Sequence, residues 1–90
     1  LRIDPCSDFC LVWIQGIRWN GTEIALKGRQ IQLNGFKAGE NTYVFPTKDP
    51  NITLSLAGMR NEKRNLLQMR MAVTRLPEET AKHMQKRGLF

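Results

Sequence analysis

Ninety residues, 41% of them hydrophobic, carry a formal charge of +6 from fourteen Lys and Arg against eight Asp and Glu. That length makes one domain with a single modest core and leaves no room for a deep active-site cavity. The apolar fraction excludes disorder, and the longest apolar run, Phe9 to Ile14, is far short of the roughly 20 residues a membrane-spanning helix needs.

The chain opens Leu1-Arg2-Ile3-Asp4-Pro5, with no initiator Met and no signal-peptide pattern, and is expected to be a domain taken from a longer protein. Cys6 and Cys10 follow, four residues apart. On an extended strand that spacing is about 13 Å, beyond the roughly 4.4–6.8 Å a disulfide spans, although a loop would bring the two together. Two unpaired thiols in a reducing compartment, the cytoplasm, are the expected arrangement. With His83 the only histidine, ligands for a zinc site are too few, and neither a metal nor another cofactor is expected.

Cys10 to Trp19 is rich in β-branched and aromatic residues and reads as a strand with apolar residues on both faces at first. Asn20-Gly21 is the dipeptide that best tolerates the positive φ angles of a two-residue hairpin turn, and Thr22 to Leu26 returns as the second strand. Gln30 to Leu33 is a short strand between Lys27-Gly28 and Asn34-Gly35. Gly39-Glu40-Asn41 turns the chain into Thr42-Tyr43-Val44-Phe45, which Pro46 ends. Ile52 to Leu56 alternates with period two, Ala57 to Asn65 is an exposed connection, and Leu66 to Thr74 is the last strand. In it Leu67, Met69, Met71 and Val73 face the core.

One helix is expected at the end, with Pro77 in its first turn, Glu78 and Glu79 at the positive end of its dipole, Lys82, Lys86 and Arg87 toward the negative end, and Gly88 closing it. Short strands spaced by about ten residues predict an antiparallel β-sandwich, jelly-roll-like, with a short C-terminal helix.

No catalytic constellation is present. There is no Gly-x-Ser-x-Gly elbow, His83 has no acid placed to orient it, and the glycines fall one per turn rather than in a phosphate-cradling loop. Asp4, Asp8 and Asp49 are the carboxylates that would have to pair for acid/base work on a glycoside, but Asp4-Pro5 and Asp49-Pro50 read as turn formers. Asn20 and Asn51 begin glycosylation sequons that matter only in a eukaryotic secretory context.

Two surfaces are candidates for binding. Trp13 and Trp19 are an even number of residues apart and share one face of a regular strand. Trp13 is assigned to the core, whereas Trp19, beside the turn, and Tyr43 are the glycan-contact candidates, since sugar rings stack on aromatic surfaces. The second surface is basic. Eight of the Lys and Arg lie between Arg60 and Phe90, against three acids, and Arg60, Lys63, Arg64, Lys82, Lys86 and Arg87 are its candidates. Such a surface would meet nucleic acid or another anionic surface. The positive charge is not interleaved with the aromatics, which speaks against nucleic acid.

The opening Leu1-Arg2-Ile3-Asp4-Pro5 before a strand, Ile17 to Trp19 with its hairpin, the run Phe45-Pro46-Thr47-Lys48-Asp49-Pro50-Asn51-Ile52, and a closing strand before Leu76-Pro77-Glu78-Glu79 form a recognisable order. It resembles the small β-sandwich domain appended to bacterial glycosyltransferases of cell-surface polysaccharide and lipopolysaccharide synthesis. Asp8-Phe9-Cys10 departs from it, standing where a Gly or Pro turn is expected. The resemblance implies that a catalytic domain, with its nucleotide-sugar and metal sites, lies elsewhere in the parent chain, at the inner membrane surface. The domain itself would be non-enzymatic and would contact polysaccharide or position its catalytic neighbour. A basic adaptor and a purely structural spacer, the latter marked by exposed Leu89 and Phe90, are the alternatives.

Overall fold

The structure, a computed structural model, describes residues 1–26, 28–59, 61 and 63–87. It is mainly β, with two antiparallel sheets packed together and one short C-terminal helix, a β-sandwich. The smaller sheet has the order β1 (Arg2–Ile3), β7 (Ile52–Leu54), β4 (Ile31–Leu33). The larger is built around β2 (Cys10–Trp19). Along one side β2 pairs with β8 (Leu67–Arg75) over its full length. Its other side is shared: β6 (Thr42–Phe45) takes Cys10 to Trp13, and β3 (Thr22–Glu23) takes Arg18 and Trp19. Beyond β6 lies β5 (Phe36–Gly39). Gly28–Gln30 forms a 3-10 turn ahead of β4.

The β2–β3 hairpin turns at Asn20 and Gly21, whose φ angles of 50° and 82° are the left-handed pair such a turn requires. The strand it returns is shorter than its composition predicts. The ladder ends after Glu23, with one further bond from the Ile24 amide to the Ile17 carbonyl, because Ile24 turns into the core. β5 was not anticipated: Phe36-Lys37-Ala38-Gly39 holds no β-branched residue. It is a strand because the two-residue loop Glu40–Asn41, with Asn41 at φ 55°, folds it onto β6.

The main core fills the space between the sheets. β2 contributes Cys10, Val12, Ile14, Ile17 and Trp19; β6 contributes Tyr43 and Phe45; the smaller sheet contributes Ile31, Ile52 and Leu54. Leu67, Met69 and Met71 of β8 pack against it, while Val73 lies more exposed than its alternation predicts. Trp13 is not in the core; it is 45% exposed. Val12 and Ile14 on either side of it face inward, so plain alternation turns it outward, and a bulge further along β2 keeps Trp19 from sharing its face. Ile14 pairs with Met71 and Gly16 with Arg70, so Gln15 is an extra residue and the inward parity changes from even to odd positions.

A smaller apolar cluster forms on the outer face of the larger sheet, where α1 (Glu78–Arg87) lies. Ala81 is fully buried there against Val44 and Phe9, with Leu11, Phe36, Leu76 and Met84 around them. Glu78 and Glu79 in the first turn and Lys86 and Arg87 in the last match the helix dipole, and Lys82 pairs with Glu78 at 3.1 Å. Three turns are marginal alone, so the helix depends on that contact. Gly88, expected as its stop, lies outside the described residues. No described helix is long and apolar enough to cross a membrane.

The chain passes from the smaller sheet to the larger at Asn34-Gly35. Asn34 clamps the 49–51 turn, donating from its side-chain amide to the Asp49 carbonyl and accepting from the Asn51 amide, both at 2.8 Å. A Cβ on Gly35 would run into the Val44 carbonyl and the Phe45 ring. Gly35→Ala should therefore lower stability by about 1–3 kcal/mol in urea unfolding, as overpacking does. Gly16→Ala, whose methyl would meet nothing within 4 Å, should leave stability unchanged or slightly raised. Equal effects of the two would contradict this packing.

Candidate functional site

The outer face of the larger sheet can be followed row by row from its cross-strand pairs, since residues directly opposite share a face. In the first row Val44, Leu11 and Thr74 lie side by side, with Leu11 and Val44 packed in the helix cluster. The second holds Thr42, Trp13 and Ala72, so the exposed indole stands on this face. After the bulge at Gln15, Gly16 pairs with Arg70, and then Glu23, Arg18 and Gln68 complete the last row.

These last rows enclose an open groove of about 390 Å³ lined by Gln15, Gly16, Arg18, Glu23, Gln68 and Arg70. Its floor is low because Gly16 has no side chain, and a Cβ there would stand in open space. The walls are amide, guanidinium and carboxylate groups, all exposed. The described ion pairs engage Arg2, Arg75 and Lys82; Arg18 and Arg70 take part in none of them. An aromatic ring beside a groove of planar hydrogen-bonding groups can stack a ring and read its polar substituents.

The residues chosen from sequence are placed differently. Trp19 is 9% and Tyr43 6% exposed, both within the main core, so neither offers a ring face to a ligand, and burial pushes the Tyr43 hydroxyl above its ordinary range. Trp13 and Trp19 do not share a face, because the bulge lies between them. Trp13 and the groove residues were missed. The signal for them was Gly16, an isolated glycine inside a run of strand formers, which marks a bulge or a close approach.

The basic candidates do not converge. Lys63 and Arg64 are exposed ahead of β8, beside the Asn20 turn, where the Asn20 amide donates to the Leu66 carbonyl at 2.9 Å. Lys82, Lys86 and Arg87 are exposed on α1, which packs at the other end of β2 against Phe9, Leu11 and Val44. The nine residues of β8 separate the two groups, a length of about 30 Å. Arg60, Leu89 and Phe90 lie outside the described residues.

The Cys6–Cys10 segment is a compact corner. The Cys6 thiol donates to the Asp8 carbonyl at 3.1 Å and accepts from the Asp8 amide at 3.4 Å. Both cysteines are free thiols, Cys6 partly and Cys10 fully buried. The Asp8 carboxylate accepts from the Phe9 amide at 2.8 Å and from Arg75 at 3.0 Å, and these bonds, the Phe9 amide first, hold it below the usual aspartate range. Arg2 binds Asp4 at 2.9 Å and Asp49 at 3.2 Å, so an arginine joins these carboxylates. Among the described residues no group of three or more His, Cys, Asp or Glu is placed to hold a metal ion. His83 is exposed on α1.

No protein-family model, curated protein or solved structure matches this chain.

Burial first, and then the Cys6 thiol beside it, pushes the Cys10 thiol from 9.0 up to about 12. Folded Cys10 keeps its proton where the unfolded chain has lost it. Its contribution to stability is therefore complete below about pH 9 and declines as pH rises from there toward the folded value. Thermal melts of wild type should fall over about pH 9–11, and Cys10→Ala should flatten part of that slope. An identical slope in the variant would contradict the burial of this thiol.

Proposed function

We propose that this domain is a non-catalytic accessory module of a bacterial glycosyltransferase of surface-polysaccharide synthesis, and that it contacts glycan through Trp13 and the adjoining groove. The observation that carries this reading is the exposed indole of Trp13 on the same sheet face as the groove, one row from it. A sugar presents an apolar C–H face to an aromatic ring and hydroxyls at its rim. Gln15 and Gln68 line the groove with both donors and acceptors for those hydroxyls. The resemblance of the chain's opening and of its Phe45–Ile52 run to glycosyltransferase-associated domains points the same way. On this reading the partners are the polysaccharide and the catalytic domain of the same chain, at the cytoplasmic surface of the membrane.

The separation of Lys63 and Arg64 from the helix lysines by the length of β8 weighs against a single basic docking face for nucleic acid or lipid. A nucleic-acid adaptor gathers its charge on one surface.

Titration of the isotopically labelled domain with surface oligosaccharides should shift the Trp13 indole and the amides of Gln15, Gly16 and Arg18. Trp13→Ala should weaken binding by about tenfold, or ~1.4 kcal/mol, with an unchanged melting temperature. Trp19→Ala should instead unfold or strongly destabilise the domain, by about 3–5 kcal/mol. Binding that survives Trp13→Ala would move the site elsewhere. Silence toward every oligosaccharide would leave only the positioning role.

A further inference from the structure

We infer that the groove beside Trp13 is built for an acidic sugar, with Arg18 and Arg70 receiving the carboxylate of a uronic acid residue. This rests on the glycan-contact reading above and names the class of glycan.

The placement of the two arginines carries it. Gly16 stands opposite Arg70 and Arg18 opposite Gln68, so Arg18 and Arg70 are diagonal neighbours on the same face, with Gly16 beside both. Diagonal positions of a sheet lie about 7–8 Å apart, within reach for long side chains. Gly16 leaves open space on the side where both guanidinium groups can turn. Two like charges set so close on one face repel, and a carboxylate between them relieves that repulsion while accepting paired N–H donors from planar forks. Lysines would supply charge there without that geometry. Neither arginine takes part in a described ion pair. The one acid of the groove, Glu23, lies opposite Arg18 and offsets one of the two charges, so two guanidinium groups against one carboxylate leave the groove net positive.

The rest of the surface fits a uronic acid better than a free anion. Trp13, one row along β2, can hold the next ring of an oligosaccharide, and Gln15 and Gln68 face the ring hydroxyls. A glycan seated by one carboxylate displaces few counterions, so its affinity should decline gently with salt, unlike that of a polyanion bound along a basic stripe.

The test uses oligogalacturonate of defined length and the same oligomer with its carboxyl groups reduced to primary alcohols, titrated by calorimetry and amide shifts. The acidic form should bind about tenfold tighter or more than the reduced form. Arg18→Gln and Arg70→Gln should each bring that ratio close to one, with folding checked by the amide spectrum. Gly16→Leu, which places a side chain in the groove, should weaken both forms. Equal affinity for the two forms would overturn the acidic preference and leave the glycan-contact reading standing. Binding of neither form, nor of neutral surface oligosaccharides, would remove both. A preference for the acidic form that both arginine variants retain, or shifts confined to Lys63, Arg64 and α1, would place the charge recognition elsewhere and overturn the assignment.

Discussion

A strand that must bury residues 10, 12 and 14 and then residues 17 and 19 cannot keep a strict period of two. β2 resolves this with one extra residue, Gln15, between pairs with β8 that are otherwise in continuous register. The bulge lets Cys10, Val12 and Ile14 at one end, and Ile17 and Trp19 at the other, all face the smaller sheet. Because β2 is the strand on which β3, β6 and β8 all pair, its change of parity governs the whole larger sheet. The same residue that completes the core places Gly16 on the outer face and makes the depression there. Core and groove have one cause.

The helix explains why only part of the outer face is open. α1 covers the row containing Leu11 and Val44, and Ala81 lets it approach closely because its side chain is a single methyl. Trp13 stands at the next row, beyond the helix cluster, and the groove lies further along. The face is thus graded, from apolar and covered, through an exposed aromatic, to polar and open. Such a gradient suits an elongated ligand with apolar ring faces and polar rims. The charges of α1 lie at the other end of β2 from the groove, and Lys63 and Arg64 stand ahead of β8, outside its paired rows.

Much of this architecture was legible from local chemistry. The extent of β2, the Asn20-Gly21 turn and the helix after Pro77 follow from composition, positive-φ preference and dipole placement, and each is present. β5 was not legible, since Phe36 to Gly39 lacks the branched residues that mark strands and is held by its pairing with β6. The site was hidden for a different reason. An even spacing puts Trp13 and Trp19 on one face only if nothing is inserted between them, and one bulged residue exchanges their roles. Gly16 was a sign of that bulge, but a single glycine does not say which neighbour is the extra one. Arg18 and Arg70 are 52 positions apart in the numbering and become neighbours only through the β2–β8 register.

The central claim, that the bulge puts the two tryptophans on opposite faces, Trp13 outward and Trp19 inward, is tested most directly by tryptophan fluorescence of two single-tryptophan variants. With Trp19→Phe the remaining indole, Trp13, should emit to the red and be readily quenched by acrylamide. With Trp13→Phe the remaining Trp19 should emit to the blue and resist quenching until the domain is unfolded in urea. Equal accessibility of the two in the folded domain, or the reverse order, would contradict the bulged register and the site that depends on it.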